Sequence, residues 1–427
     1  MVKIDYLIIG SGPSGIGAAL GLERDYLVLE SSYEIGGFSS TIELNGAVFD
    51  LGGHSFHTPH PEIKELVYSS IEMHEQKRDA QCFHDGELIQ YPFQKNFNSL
   101  TNTQIVNECR QGLSACDDGK NSAHFEEYIE RRFGFGIAKH FMLPYNRKLW
   151  GRDLRRLAAD WTGERVAAPL GIGEKFETEG GNRRPLQSDT VIAYPAKGGF
   201  GEIFKALGKR VKNIEFGKAV EAIDFKRKIV YTTEKQAYKY KYLISTIPII
   251  KLVNIIQDIP PHFIEISKNL DFLSLKLGLI VINHPVDTPI QRIYSAEDII
   301  PAHKIALNHN SSDYLRRLPK HGIMMEISEG PEKKILRNDM EKWIIDSLLK
   351  VRIIKTISEV EKIYLKEAKF AYPVPTHNRD SIVDNIQTWL INEDIYSVGR
   401  FGQWAYINSD EAIFRGFKIG REISSMA

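Results

Sequence analysis

Gly10-Ser11-Gly12-Pro13-Ser14-Gly15 follows directly on the apolar run Val2–Ile9, and this junction limits the fold more than any other stretch of the 427-residue chain. The run reads as a strand, and Ile16–Glu23 beyond the glycines has helical character. A second short apolar strand, Tyr26–Leu29, ends at Glu30, twenty residues after Gly10. A dinucleotide fold needs strand, tight turn, helix, second strand and terminal acid in this order. Gly10 permits the turn, Gly12 lets backbone approach a pyrophosphate, Gly15 lets the helix pack closely, and Glu30 accepts from ribose hydroxyls. A glycine-rich turn alone is more simply structural; the complete unit points to a bound dinucleotide. An acid at Glu30 disfavours a 2'-phosphate, which leaves FAD and NAD open and sets NADP aside.

Composition narrows the class. Hydrophobic residues make up 42% and charged residues 26%, values of an ordinary folded protein rather than a disordered or fibrous one, and the length suits about three domain-sized units. Lys plus Arg and Asp plus Glu are both 55, so no overall positive field draws in nucleic acid or an anionic membrane. Cys82, Cys109 and Cys116 cannot all pair with one another and none has metal-ligand spacing, so the expectation is no metal and a reducing cytoplasm. Tyr242–Ile250 and Leu277–Ile282 fall short of the roughly 18 apolar residues a spanning helix needs. Asp5 and the early glycines make Tyr6–Ile9 a poor secretion signal.

Further along, Asn45-Gly46 between apolar stretches predicts a hairpin leading into Asp50-Leu51-Gly52-Gly53-His54. Pro61–Arg131 mixes polar and apolar residues at helical spacing, with Tyr128, Ile129 and Phe133 on one face, and reads as an inserted helical region. Val220–Phe225, Lys228–Thr233, Tyr242–Thr246, Leu275–Asn283, Lys304–Asn308 and Ile395–Val398 read as strands, and Asp410–Ile423 as a helix with Ser409 at its N-cap. Gly198-Gly199-Phe200-Gly201 lacks a terminal acid and is expected to be a loop.

Gly36-Gly37 and Gly52-Gly53-His54, with the dinucleotide turn, resemble the FAD-binding superfamily of amine oxidases, protoporphyrinogen oxidase and UDP-galactopyranose mutase. Five later segments occur in order: Tyr91-Pro92-Phe93-Gln94, Pro144–Trp150, Gly163–Pro169, Tyr194–Gly199 and Gly399–Tyr406. Together they resemble the UDP-galactopyranose mutase family, chiefly its eukaryotic branch, over nearly the whole chain. Amine oxidases usually carry Arg after the first glycine pair, where this chain has Phe38.

The resemblance implies an α/β fold with a Rossmann-like FAD-binding domain of the GR2 type, discontinuous in sequence (1–60, 195–265 and 365–427). It also implies an inserted helical domain (61–165) and an antiparallel sheet domain for substrate (166–194 and 266–364). It further implies a redox-neutral isomerase in which N5 of reduced FAD attacks the anomeric carbon of a nucleotide-diphosphate sugar, and the sugar opens and recloses as a furanose for surface polysaccharide or glycoconjugate synthesis. NAD(P)H would be the reductant and would bind over the same cleft. A homo-oligomer is compatible with the family.

Residue by residue, the implied FAD contacts are Gly10, Gly12, Pro13, Ser14, Gly15, Glu30, Ser31, Gly37, Phe38, Ser39, Gly53, His54, Val220, Gly399, Arg400, Asn408 and Ser409. Arg165, Tyr372 and Tyr406 match the diphosphate contacts, whose charged fork and neutral hydroxyls suit a departing diphosphate. His54 matches a loop histidine beside the flavin and Asn146 a substrate contact. Tyr91, Gln94, Trp150 and Tyr294 belong to the substrate side, while Arg78, Tyr91 and Arg400 match positions engaging reductant or flavin. Departures cluster on the substrate side: Lys304 stands where the family has a second diphosphate arginine, Arg292 for a tryptophan, Asp189 for an asparagine and Ala80 for a serine. Retained chemistry with altered recognition is therefore expected. Two other classes stay open, an FAD-dependent oxidoreductase of the amine oxidase or protoporphyrinogen oxidase type and a noncatalytic binding protein that has lost its flavin.

Overall fold

In the computed structural model, which describes residues 1–162, 166, 167, 169, 191–332, 335 and 337–426, the strand expected at the N-terminus divides. Val2–Lys3 pairs with Ala237–Lys239 in a four-stranded sheet that also holds Ile229–Thr232 and Val220–Asp224. Tyr6–Ile9 instead enters a parallel sheet in the order Ile214–Glu215, Tyr26–Leu29, Tyr6–Ile9, Tyr242–Ser245, Ile395–Ser397. Its side chains alternate between two cores. Tyr6 and Ile8 pack with Ile16, Ala18 and Ile413 on one face, and Leu7 and Ile9 with Leu243, Leu252 and Ile386 on the other. Burial on both faces is what makes these strands apolar throughout.

The Pro13–Gly21 helix begins with proline in its first turn, where the missing N–H leaves no bond unmade. It packs along the C-terminal helix Ser409–Ser425, and glycines set the distance. A Cβ on Gly17 would lie 2.2 Å from the Ile413 carbonyl oxygen, and one on Gly416 would lie 2.0 Å from the Ser14 carbonyl oxygen. Both helix N-termini thereby reach the cavity described below. This helix extends beyond the expected Asp410–Ile423 at both ends, and Asn408 rather than Ser409 occupies the cap position.

A third, seven-stranded sheet runs Val360–Pro373, Phe272–Ile282, His321–Glu329, Lys304–Ala306, Arg292–Ser295, Ala80–His84, Glu87–Gln90. It is antiparallel except where Arg292–Ser295 meets Ala80–His84. The region expected to be helical is thus mixed. Ala80–His84 and Glu87–Gln90 are strands of this sheet, and Met73–Lys77 pairs with Val191–Pro195. The Phe125–Ile137 helix does bury Tyr128, Ile129 and Phe133 on one face, as its periodicity predicts, but bends at Gly134. The Asn45-Gly46 hairpin forms between Thr41–Leu44 and Ala47–Asp50, with both turn residues at positive φ (50° and 80°). Among the described residues no helix is long and apolar enough to cross a membrane.

Replacing Gly416 with Val forces the two cofactor-side helices apart. We expect a loss of about 1–3 kcal/mol of unfolding free energy, read as a lower urea midpoint. A midpoint equal to that of the unmodified protein would show that this helix contact is not as tight as described.

Candidate functional site

Strand register decides where the turn residues go. Ile9 is aligned with Leu29, so Gly10 and Glu30 leave the parallel sheet side by side. The Ser11 N–H and hydroxyl both donate to Glu30 Oε2 at 2.7 Å, and the Ser32 N–H donates to Oε1 at 2.8 Å. Gly10 has a φ of +95°, and a Cβ on Gly15 would lie 1.8 Å from the Gly10 carbonyl oxygen, so the turn closes only with glycine at both positions.

The turn opens into a cavity of about 1260 Å³. That exceeds the ~300–1,000 Å³ of a pocket for one small ligand, so it has room for a dinucleotide together with a second molecule. Of the expected cofactor contacts, Gly10, Gly12, Pro13, Ser14, Glu30, Ser31, Gly37, Phe38, Ser39, Gly53, His54, Val220, Arg400, Asn408 and Ser409 line it. Gly15 and Gly399 shape the wall from behind: a Cβ on Gly399 would strike the Ser14 hydroxyl at 2.1 Å. Backbone N–H donors at two helix N-termini and an acceptor acid beside the first form a set that fits a flavin dinucleotide. A Cβ on Gly12 would meet nothing within 4 Å, which leaves backbone facing open space.

The expected substrate residues Tyr91, Gln94, Asn146, Trp150, Arg292, Tyr294, Lys304, Tyr372 and Tyr406 line the same cavity, as does Arg78. Arg165 and Asp189 lie outside the described residues. Aromatic rings line the cavity in two groups: Tyr91 to Tyr294 at 4.8 Å with Tyr145 to Tyr294 at 6.2 Å, and Trp150 to Tyr406 at 5.7 Å with Tyr372 to Tyr406 at 5.3 Å between centroids. Arg400 lies over the Tyr372 and Tyr406 rings at 5.0 and 5.5 Å, and Arg78 over the Tyr91 ring at 5.3 Å while donating to the Tyr294 hydroxyl. Tyr145, Asn146 and Trp150 come from the Leu143–Trp150 helix. Lys148 ties that helix to the sheet side by donating from Nζ to the carbonyls of Ser295 at 3.0 Å and Ile300 at 2.7 Å. Burial raises the Tyr91, Tyr145 and Tyr372 phenols, so they stay neutral donors.

Three site residues share one cross-strand row, because Tyr294 pairs with Lys304 and Lys304 with Glu326. Glu326 was not anticipated. It is 1% exposed, and four donors converge on it. Its Oε1 lies 2.7 Å from Lys304 Nζ and accepts the Gly53 N–H at 3.0 Å. Its Oε2 lies 3.3 Å from His303 Nε2 and accepts the Tyr372 hydroxyl at 3.3 Å. Burial would raise this carboxyl, but Lys304 and His303 hold it well below the usual carboxylate range. The one sequence signal was a lone acid inside the apolar strand Ile323-Met324-Met325-Glu326-Ile327.

His54 stacks on Phe200 at 4.9 Å, and its Nε2 lies 3.2 Å from the Phe38 carbonyl oxygen, so Nε2 carries the hydrogen. Burial, with Lys304 adding to it, lowers the ring from its ordinary 6.5 to about 4. Arg292 donates to the His54 carbonyl at 2.9 Å and the Gln291 carbonyl at 2.7 Å. Arg292 thus holds the loop from the cavity wall. Ala80 is its cross-strand partner, so two departures from the resembled family sit together.

Residues 14–276 match the family described as flavin containing amine oxidoreductase. Among solved structures, the chain is similar to a reduced UDP-galactopyranose mutase, with a TM-score of 0.89 and 23% identity covering 100% of this chain and 95% of that one. It is similar to a redesigned putrescine oxidase, with a TM-score of 0.71 and 14% identity covering 99% of both chains. A fatty acid isomerase from P. acnes gives a TM-score of 0.67 and 15% identity, covering 97% of both. At these identities the likeness establishes a shared mixed α/β fold.

Between pH 6.5 and about 4 the unfolded chain binds a proton at His54 that the folded chain does not, so stability falls as pH drops through that window. Urea midpoints measured across it should fall less steeply in His54→Gln than in the unmodified protein. Equal slopes would place a charged imidazole in the folded state.

Proposed function

We propose, for a chain that belongs to the family of flavin-containing amine oxidoreductases, that it is a nucleotide-sugar pyranose/furanose mutase working with reduced FAD. The observation that carries this reading is the continuity of the dinucleotide turn with an aromatic chamber bearing Arg78, Arg292, Lys304 and Arg400. An amine substrate is cationic at neutral pH and would meet repulsion there, whereas a diphosphate of about two negative charges is attracted. The likeness to a reduced UDP-galactopyranose mutase supports the same reading.

Reduced flavin, when bound, supplies the electron pair for the anomeric carbon. The chain's own groups do the rest. Lys304 and Arg400 offset the charge that develops on the departing diphosphate, and the neutral Tyr372 and Tyr406 hydroxyls donate to it without adding charge. Trp150 and Tyr406 present ring edges and faces to the base and sugar, and Asn146 and Gln94 supply polar contacts. The Gln94 amide already donates to the Ala167 carbonyl at 2.9 Å, which leaves its oxygen for a ligand donor. Packed aromatic rings exclude water while the sugar is detached. Arg165 and Asp189 belong to this set by sequence alone. NAD(P)H entering the same cleft is the proposed reductant, and three free cysteines suit a cytoplasmic setting.

Reduced protein incubated with UDP-sugars should yield furanose product, and oxidised protein should yield none. Lys304→Ala should raise KM about tenfold, and Tyr406→Phe should lower kcat/KM about threefold to tenfold, each with flavin absorbance unchanged. Oxygen uptake with an amine and no furanose from any nucleotide sugar would replace this function with an oxidase.

A further inference from the structure

Four groups with separate duties meet at one carboxylate. Glu326 takes Lys304 and the Gly53 N–H on one oxygen, and His303 and Tyr372 on the other. His303 is itself oriented by the Ser328 hydroxyl, 3.0 Å from Nδ1. Lys304 and Tyr372 are also the groups the proposed reaction needs on the diphosphate. A phenol has one hydrogen to donate, and that of Tyr372 is directed at Glu326. An ammonium has three, and one of Lys304's is taken. A diphosphate arriving here must draw the Tyr372 hydrogen away and settle near a buried anion. At 3.3 Å the phenol contact is long for an O–H···O bond, whereas the Lys304 contact at 2.7 Å is not, so the phenol is the partner a ligand displaces.

We infer that Glu326 is a positioning residue that competes with the substrate diphosphate for Tyr372 and Lys304 while anchoring the Gly52–His54 loop. Ground-state binding is thereby weakened, and the full set of donors reaches the diphosphate only as its charge grows on departure. This inference rests on the nucleotide-diphosphate reading of the cavity. It explains why a lysine can stand in this row: a compact ammonium divides its three hydrogens between Glu326 and a ligand.

The sign of the effect separates this role from simple support. Replacing Glu326 with Gln removes the repulsive charge and leaves one acceptor oxygen where there were two, so the amide cannot hold Lys304 and the Gly53 N–H on one side and Tyr372 on the other. UDP should then bind the flavin-loaded Glu326→Gln protein about threefold to tenfold more tightly than the unmodified one, while kcat falls because the loop and both donors are no longer ordered by one charged group. Glu326→Asp, which keeps the charge, should restore UDP affinity toward the starting value. Tyr372→Phe should change UDP affinity by less than about twofold, since its hydrogen bond is exchanged rather than gained; this variant leaves Glu326 in place and reads the competition even where Glu326→Gln does not fold. Isothermal titration with UDP measures all four proteins. Weaker or unchanged binding in folded Glu326→Gln, or a tenfold loss in Tyr372→Phe, would overturn the inference while leaving the diphosphate site intact. Failure of the unmodified flavin-loaded protein to bind UDP would instead overturn the site reading on which the inference stands.

Discussion

Two buried carboxylates hold the Leu51–His54 segment that lines the cavity. Asp50 accepts from the Thr41 hydroxyl at 2.5 Å, the Tyr194 hydroxyl at 2.7 Å, the Phe200 N–H at 2.9 Å and the Asn308 amide at 3.1 Å. Three residues later Gly53 donates to Glu326. The loop between them is therefore strung across two sheets. Burial has opposite outcomes at the two acids. Asp50, surrounded mainly by neutral donors, is raised, whereas Glu326, facing Lys304 and His303, is held low. Their oxygens accept the backbone N–H groups of Gly53 and Phe200, which would otherwise be buried without a partner at the cavity wall.

The rest of the site is assembled by register. Parallel alignment of Tyr6–Ile9 with Tyr26–Leu29 brings the glycine turn and Glu30 to the same edge, and the antiparallel row sets Tyr294, Lys304 and Glu326 abreast. A slip of one residue in any of these strands would turn its member of the row away from the other two, because alternate side chains face opposite sides of a sheet. Glycine contacts between Pro13–Gly21 and Ser409–Ser425 then place two helix N-termini together, concentrating their positive ends where a pyrophosphate and a flavin would lie.

Much of the cofactor half was legible from residue order, because its signals are local. A strand, a glycine turn and an acid twenty residues on specify one another within a single βαβ unit. The Asn45-Gly46 hairpin was equally plain, since Asn-Gly is suited to two successive positive φ values. The strands within 73–90 were not read. Met73–Lys77 is mostly polar and only partly buried, and its partner, Val191–Pro195, lies more than a hundred residues away. Glu326 carries no local signal of its role, because Lys304, Tyr372 and Gly53 reach it from separate parts of the chain.

By itself, the order of amino acids determined the parallel-sheet cofactor unit, the aromatic and cationic inventory of the substrate side, and the positions where that inventory departs from the resembled family. Tertiary structure alone decided that Lys304 and Tyr372 share Glu326, that Arg292 grips the backbone of His54, and that the loop hangs between two acids. Propensity and turn chemistry act over a few residues and can be read along the chain. The pairing of a carboxylate with a lysine, a phenol and an amide from separate elements depends on strand register and helix packing, which arise only when distant apolar faces are buried together.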